Sequence, residues 1–226
     1  MADIKPPPAR SDMGRWVQLS VGLFAYGAAV PLMIQSGLGL GPWDAFHVGL
    51  NQLTGISVGM ASILVGVVIV AGSYILGIRP GAGTLANMVL IGVFIDLTLP
   101  LIPPAGGWAI GLVYYACGIV MVGLATGMYI AAGLGIGPRD GLMVGISATR
   151  GWPVRRVRTG IEIAALAGGW AMGAAIGPGT VLFAATVGAS TQLGLQLFGV
   201  LPPTRTPPTM LVTAPTRPRW RWRRVA

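Results

Sequence analysis

One cysteine, one histidine and six acidic residues are all that this chain of 226 residues offers of the side chains most used in chemistry. Cys117 has no partner, so disulfides and cysteine-rich metal sites are excluded, and it is expected to be a small buried hydrophobe. His47 has no second imidazole or thiol cluster to share a metal with, so neither a metal nor a cofactor is expected. There is no plausibly spaced Ser/His/Asp set and no Walker-type phosphate loop, and enzymatic activity is not expected. The run Gly37-Leu-Gly-Leu-Gly-Pro42 lacks the strand and helix context of a dinucleotide fingerprint.

Apolar residues are plentiful instead. They make up 54% of the chain against 9% charged, with a mean hydropathy of +0.74, which is a membrane composition. Six stretches are long enough to cross a hydrocarbon core, approximately 15–36, 57–77, 84–103, 107–132, 157–176 and 179–199. The first continues into Gly-Pro-Trp-Asp without a cleavage site and is expected to stay attached. A net charge of +9 would suggest nucleic acid for a soluble protein, but here charge follows topology. With six spans and both termini cytoplasmic, all fifteen basic residues fall inside, and the outer loops near 37–56, 103–107 and 177–179 hold none. Nucleic acid is therefore not an expected partner.

Glycine carries the organisation of the chain. Residues 37–44 read GLGLGPWD and residues 133–140 read GLGIGPRD, an offset of 133 − 37 = 96 at which twelve glycines, Pro42, Asp44 and Thr84 all recur. Glycine offers no side-chain chemistry, so its recurrence reports repeated backbone constraints. Each copy holds three spans, and an odd number inverts the second copy relative to the first. The expected fold is an all-α membrane protein with six transmembrane helices in two inverted three-helix repeats, each with a short broken or re-entrant helix after its first span. The expected units are a cytoplasmic tail at 1–14, repeats at 15–103 and 107–200, and a disordered basic cytoplasmic tail at 201–226. Eight spans would require residues 42–54 and 138–150 to cross. Asp44, His47, Asn51 and Gln52 crowd the first of these, and thirteen residues reach only about 20 Å of a core about 30 Å thick.

On the helix expected after Pro42, Trp43, Phe46, Leu50 and Leu53 share one face, and Asp44, His47 and Asn51 share another. The second copy retains only the acid, Asp140, on the polar face. Asp44 and Asp140 can serve a coupling ion or substrate beside a helix N-terminus, or can cap that N-terminus. His47, three residues on, can pair with Asp44 to relay protons. Asp96 and its counterpart Gln192 (96 + 96 = 192) put polar groups at one depth of the third and sixth spans. They are expected either to mark a site or to hydrogen-bond to each other or to Thr98, with Asn87 joining the surroundings of Asp96. Arg158 and Glu162 are spaced for an ion pair. The candidate substrate- or ion-binding residues are thus Asp44, His47, Asn51, Asp96, Asp140 and Gln192.

The C-terminal Arg217-Pro-Arg-Trp-Arg-Trp-Arg-Arg interleaves cations with indoles and suits anionic lipid headgroups. The Gly-x-Gly-x-Gly-Pro-Trp-Asp stretch at 37–44, followed by Phe46, His47 and Gly49 and then by Gly-Pro-x-Asp at 137–140, resembles the YczE/YitT-type bacterial integral membrane proteins over roughly residues 15–200. The resemblance implies a polytopic protein of the bacterial cytoplasmic membrane whose biochemical activity is largely uncharacterised. The sequence reading is a small secondary transporter or channel with a polar site between the repeats. Its rival is a non-transporting membrane protein that binds or assembles partners. The expected partners are the bilayer, anionic headgroups and an unidentified small solute or ion, and homo-oligomerisation is left open.

Overall fold

The computed structural model describes residues 11–201, so the expectations for the first ten residues and for the basic C-terminal tail lie outside the described residues. The described chain forms eight α-helices: α1 (Asp12–Gln35), α2 (Pro42–Thr54), α3 (Val58–Ile75), α4 (Ala82–Thr98), α5 (Trp108–Ala131), α6 (Pro138–Arg150), α7 (Val154–Ala171) and α8 (Pro178–Leu197). Adding 96 to both bounds of α1, α2 and α3 gives the bounds of α5, α6 and α7, and 82 + 96 = 178 starts α8. The local signals repeat as well. Pro42 and Pro138 open α2 and α6, where a missing N–H costs nothing, and left-handed Gly55 and Gly151 (φ 77° and 67°) close them.

The core is the contact of α1 with α5, where Leu19, Leu23, Val30 and Met33 meet Tyr115, Ile119, Val122 and Tyr129. These helices run antiparallel. Gln18 Nε2 donates to Met128 O at 2.9 Å, Gly22 faces Tyr129 and Ala125, and Gly118 faces Met33 and Ala29. α4 packs on α1, and α8 packs on α5. Gly123 lies against Ser190 and Gly127 against Gly194, so α5 and α8 advance together and are parallel. The short helices cross over: α2 packs on α7, and α6 on α3.

The glycine loops make a second crossing. Gly179 N donates to Leu38 O at 2.7 Å, and its counterpart Gly83 N donates to Leu134 O at 2.9 Å. The loop before each short helix therefore docks on the start of the last helix of the other half. Gly39 (φ 105°) and Gly135 (φ 144°) lie where a side chain would be strained and would also strike Gly177 or Thr84. This close approach is the backbone constraint that duplicates the glycines.

Among the described residues, four helices are long and apolar enough to cross a membrane: α1, α3, α4 with the 3-10 turn that follows it, and α5. α7 and α8, expected as the fifth and sixth spans, are not among these four. α7 carries Arg155, Arg156, Arg158 and Glu162, and α8 carries Gln192 and Gln196. Cys117 also departs from expectation, being exposed on α5 rather than buried.

Candidate functional site

The two copies of Gly-Pro-x-Asp meet. Gly41, Pro42, Trp43 and Asp44 face Gly137, Pro138, Arg139 and Asp140 across one cavity of about 150 Å³, close to the size of a cavity that accepts a benzene-sized molecule. Trp43 and Arg139 occupy equivalent positions, 43 + 96 = 139, and they touch, with the guanidinium carbon 4.7 Å from the ring centroid. Unlike residues at one repeat position thus meet in a cation–π contact.

The cavity walls follow the repeat in position but not in chemistry. Ser62 on α3 corresponds to Arg158 on α7, Gly66 to Glu162, Asn87 on α4 to Phe183 on α8, and Ile91 to Val187, and all eight line the cavity. Tyr26 of α1 and Tyr129 of α5 complete its polar wall. Arg158 Nε and Glu162 Oε1 form the expected ion pair at 2.8 Å.

Asp44 is 7% exposed and His47 1%, so both are taken out of water by the crossing of α2 onto α7. The expected Asp44–His47 hydrogen bond is not formed: neither His47 ring nitrogen has a hydrogen-bond partner. Burial, and secondarily the Arg139 charge, holds the imidazole well below its usual pKa and therefore neutral. Burial raises Asp44 to about 6, with Arg139 opposing it. Asp140 is raised by burial too, against Arg158 and then Arg139. Neither α2 nor α6 has a side-chain N-cap bond, so their first-turn N–H groups and dipoles face the cavity with no capping side chain. Asp140 Oδ2, Tyr129 OH and Asn87 Nδ2 all lie within 4 Å of the point where a Cβ on Gly137 would sit.

The remaining predicted residues lie elsewhere. Asn51 Nδ2 donates to Ile56 O at 2.6 Å, and its counterpart Ser147 Oγ donates to Trp152 O at 2.7 Å, so this position closes the helix rather than lining the cavity. Asp96 accepts from Ser57 Oγ at 2.5 Å and from Gly59 N at 2.7 Å, so it braces the start of α3, whose N-cap is Ser57, and is not the partner of Gln192 or Thr98. Gln192 is exposed on α8 and does not line the cavity. Asn87, expected beside Asp96, lines the cavity instead. Trp43, in the first turn of α2, joins Asp44 and His47 there, although helical spacing puts it on the apolar face with Phe46. The sequence reading missed Tyr26, Ser62 and Tyr129. Its accessible signal was the repeat itself, in which Ser62 and Arg158 are polar at one repeat position.

A family described as "Family of unknown function (DUF6198)" matches residues 13–194. The "Uncharacterized membrane protein YczE" of Bacillus subtilis is 41% identical over 183 residues, covering 80% of this chain and 85% of that protein. An "Uncharacterized protein" of Haemophilus influenzae is 34% identical over 187 residues, covering 81% and 86%. The "Uncharacterized protein YyaS" of Bacillus subtilis is 29% identical over 132 residues, covering 57% and 66%. No solved structure matches the chain.

Proposed function

The chain belongs to this YczE-type family of unknown function, and from that footing we propose that it is a small secondary transporter or channel of the bacterial cytoplasmic membrane, with the cavity between its halves as the transport site. One observation carries the reading: both repeated motifs contribute their acid and their uncapped helix start to one cavity. Broken helices whose N-termini meet near the midplane between inverted repeats are a recurrent plan for binding a solute that must be released on either side.

Three features support inverted repeats of three spans. The equivalent helices α1 and α5 are antiparallel, as inversion requires. α5 and α8 are parallel, which fits a crossing by α7 but not crossings by both α6 and α7. Ala105 N donates to Gln35 O at 2.9 Å, so the end of α1 and the loop after α4 share a side, whereas an α2 that crossed would separate them. On this topology the loops holding Trp43 and Arg139 enter from opposite faces. If they stayed at the surfaces they would be about 30 Å apart, yet the two side chains touch.

The test needs no knowledge of the cargo. In a Cys117→Ser background, Thr191→Cys places a thiol on the cavity wall. A membrane-impermeant maleimide should modify it both in right-side-out and in inside-out vesicles. Modification from one side only, under every ionic and pH condition, contradicts transport and favours the partner-binding alternative.

A further inference from the structure

The two halves differ most where α3 meets α4. Gly59 and Gly92 bring these helices into close contact, Met88 fits against Gly66, and Asp96 ties Ser57 and Gly59 down. The equivalent positions of the second half read Arg155, Gly188, Ala184, Glu162, Gln192 and Pro153. Arg155 has the bulk that Gly59 lacks, Gln192 has no charge with which to brace a helix start, and Pro153 has no hydroxyl to offer. The seam cannot form, and α7 and α8 do not pack along one another as α3 and α4 do. A Cβ built on Gly188 meets nothing within 4 Å, whereas one on Gly92 collides with Gly59 and Ile63.

Both separated helices nevertheless line the cavity, α7 through Arg158 and Glu162 and α8 through Phe183, Val187 and Thr191. The Arg158 and Glu162 side chains are 52% and 33% exposed, whereas Asp44 and His47 are buried, so the cavity wall is reached from outside along α7. Arg155 and Arg156 lie exposed on the first turn of α7, one turn before Arg158. Inside, Arg139 rests on Trp43, and its charge also reaches Asp44 and Asp140 in the same cavity, although among the described residues neither carboxylate is within ion-pair distance of it. The His47 ring nitrogens, buried in the cavity wall, are also without partners.

We propose that the cavity opens sideways into the bilayer between α7 and α8 and takes an amphiphile with one small anionic head and an apolar chain. The head sits at Arg139 and the uncapped starts of α2 and α6, and the chain leaves through the mouth beside Gly188. The basic start of α7 favours an anionic over a cationic head at the entrance. A space of about 150 Å³ holds a carboxylate and a few carbons but not a long chain, which is why the mouth is part of the site. This inference takes over the cavity of the proposed function and adds its substrate class.

The experiment measures thermal stabilisation of the full chain in neutral-lipid nanodiscs by decanoate, acetate and decyltrimethylammonium. Decanoate should half-saturate at least tenfold below acetate, and the cation should not stabilise. Gly188→Phe, with open space around its Cβ, should weaken decanoate at least tenfold and leave acetate unchanged. Should that variant not fold, Ala184→Met, which restores the residue of the closed seam, should act in the same direction. Arg139→Gln should weaken both anions. Equal affinity for acetate and decanoate, equal stabilisation by the cation, or decanoate binding unaffected by the folded mouth variants would overturn the proposal. Decanoate binding with Thr191→Cys modified from one side only would leave this site standing and remove the transport reading.

Discussion

Asp44 and Asp96 are both acids among apolar helices, and their neighbours give them opposite roles. Asp96 accepts two hydrogen bonds at the start of α3 and does so at a half-buried position. Asp96→Ala should therefore cost about 1–2 kcal/mol of stability, as the loss of a cap does. Gln192→Ala, at an exposed site, should stay within about 0.5 kcal/mol; denaturant titration of both variants in one detergent makes the comparison. Asp44 is buried, and burial lifts it to about 6. Between the ordinary carboxylate range and about 6 the folded chain keeps a proton that the unfolded chain has released, so stability falls as pH rises through that window. Asp140 shifts in the same direction and leaves a residual slope. Melting of Asp44→Asn should accordingly lose less between pH 4 and pH 7 than the parent chain, and an unchanged slope would contradict the burial of Asp44.

At the level of elements, the loops 36–41 and 132–137 hold the halves together. Gly39→Ala places a Cβ at φ 105° against the backbone of Gly177, which should cost about 3 kcal/mol or more and deplete folded protein. Gly72→Ala, with nothing within 4 Å of its Cβ, should be near neutral, and fluorescence-detected size exclusion of the two variants separates the outcomes. The element boundaries were legible in the sequence because Pro42, Gly55 and their counterparts are strong stop and start signals that occur twice. The docking of each glycine loop on the other half was not legible, because main-chain bonds such as Gly179 N to Leu38 O leave no side-chain signature. The role of Asp96 was obscured for a related reason. Its partners, Ser57 and Gly59, lie 39 and 37 residues away on another helix, and an intramembrane acid reads as a site until that contact is seen.

For the whole molecule, duplication supplies a frame and the differences between copies supply chemistry. The cavity was foreseeable from Asp44 and Asp140, since both copies of the motif were expected to line one polar site between the halves. Its asymmetry was less so, because Ser62 against Arg158 and Gly66 against Glu162 acquire meaning only once both pairs share one wall. On the proposed topology α2 enters the membrane without crossing it. Impermeant-thiol labelling of Ser11→Cys, Thr54→Cys, Arg79→Cys and Ala105→Cys, each in a Cys117→Ser chain in intact cells and in inverted vesicles, tests this directly. Positions 11 and 79 should fall on one face and 54 and 105 on the other; positions 11 and 54 sharing a face, with 79 opposite, would overturn the topology.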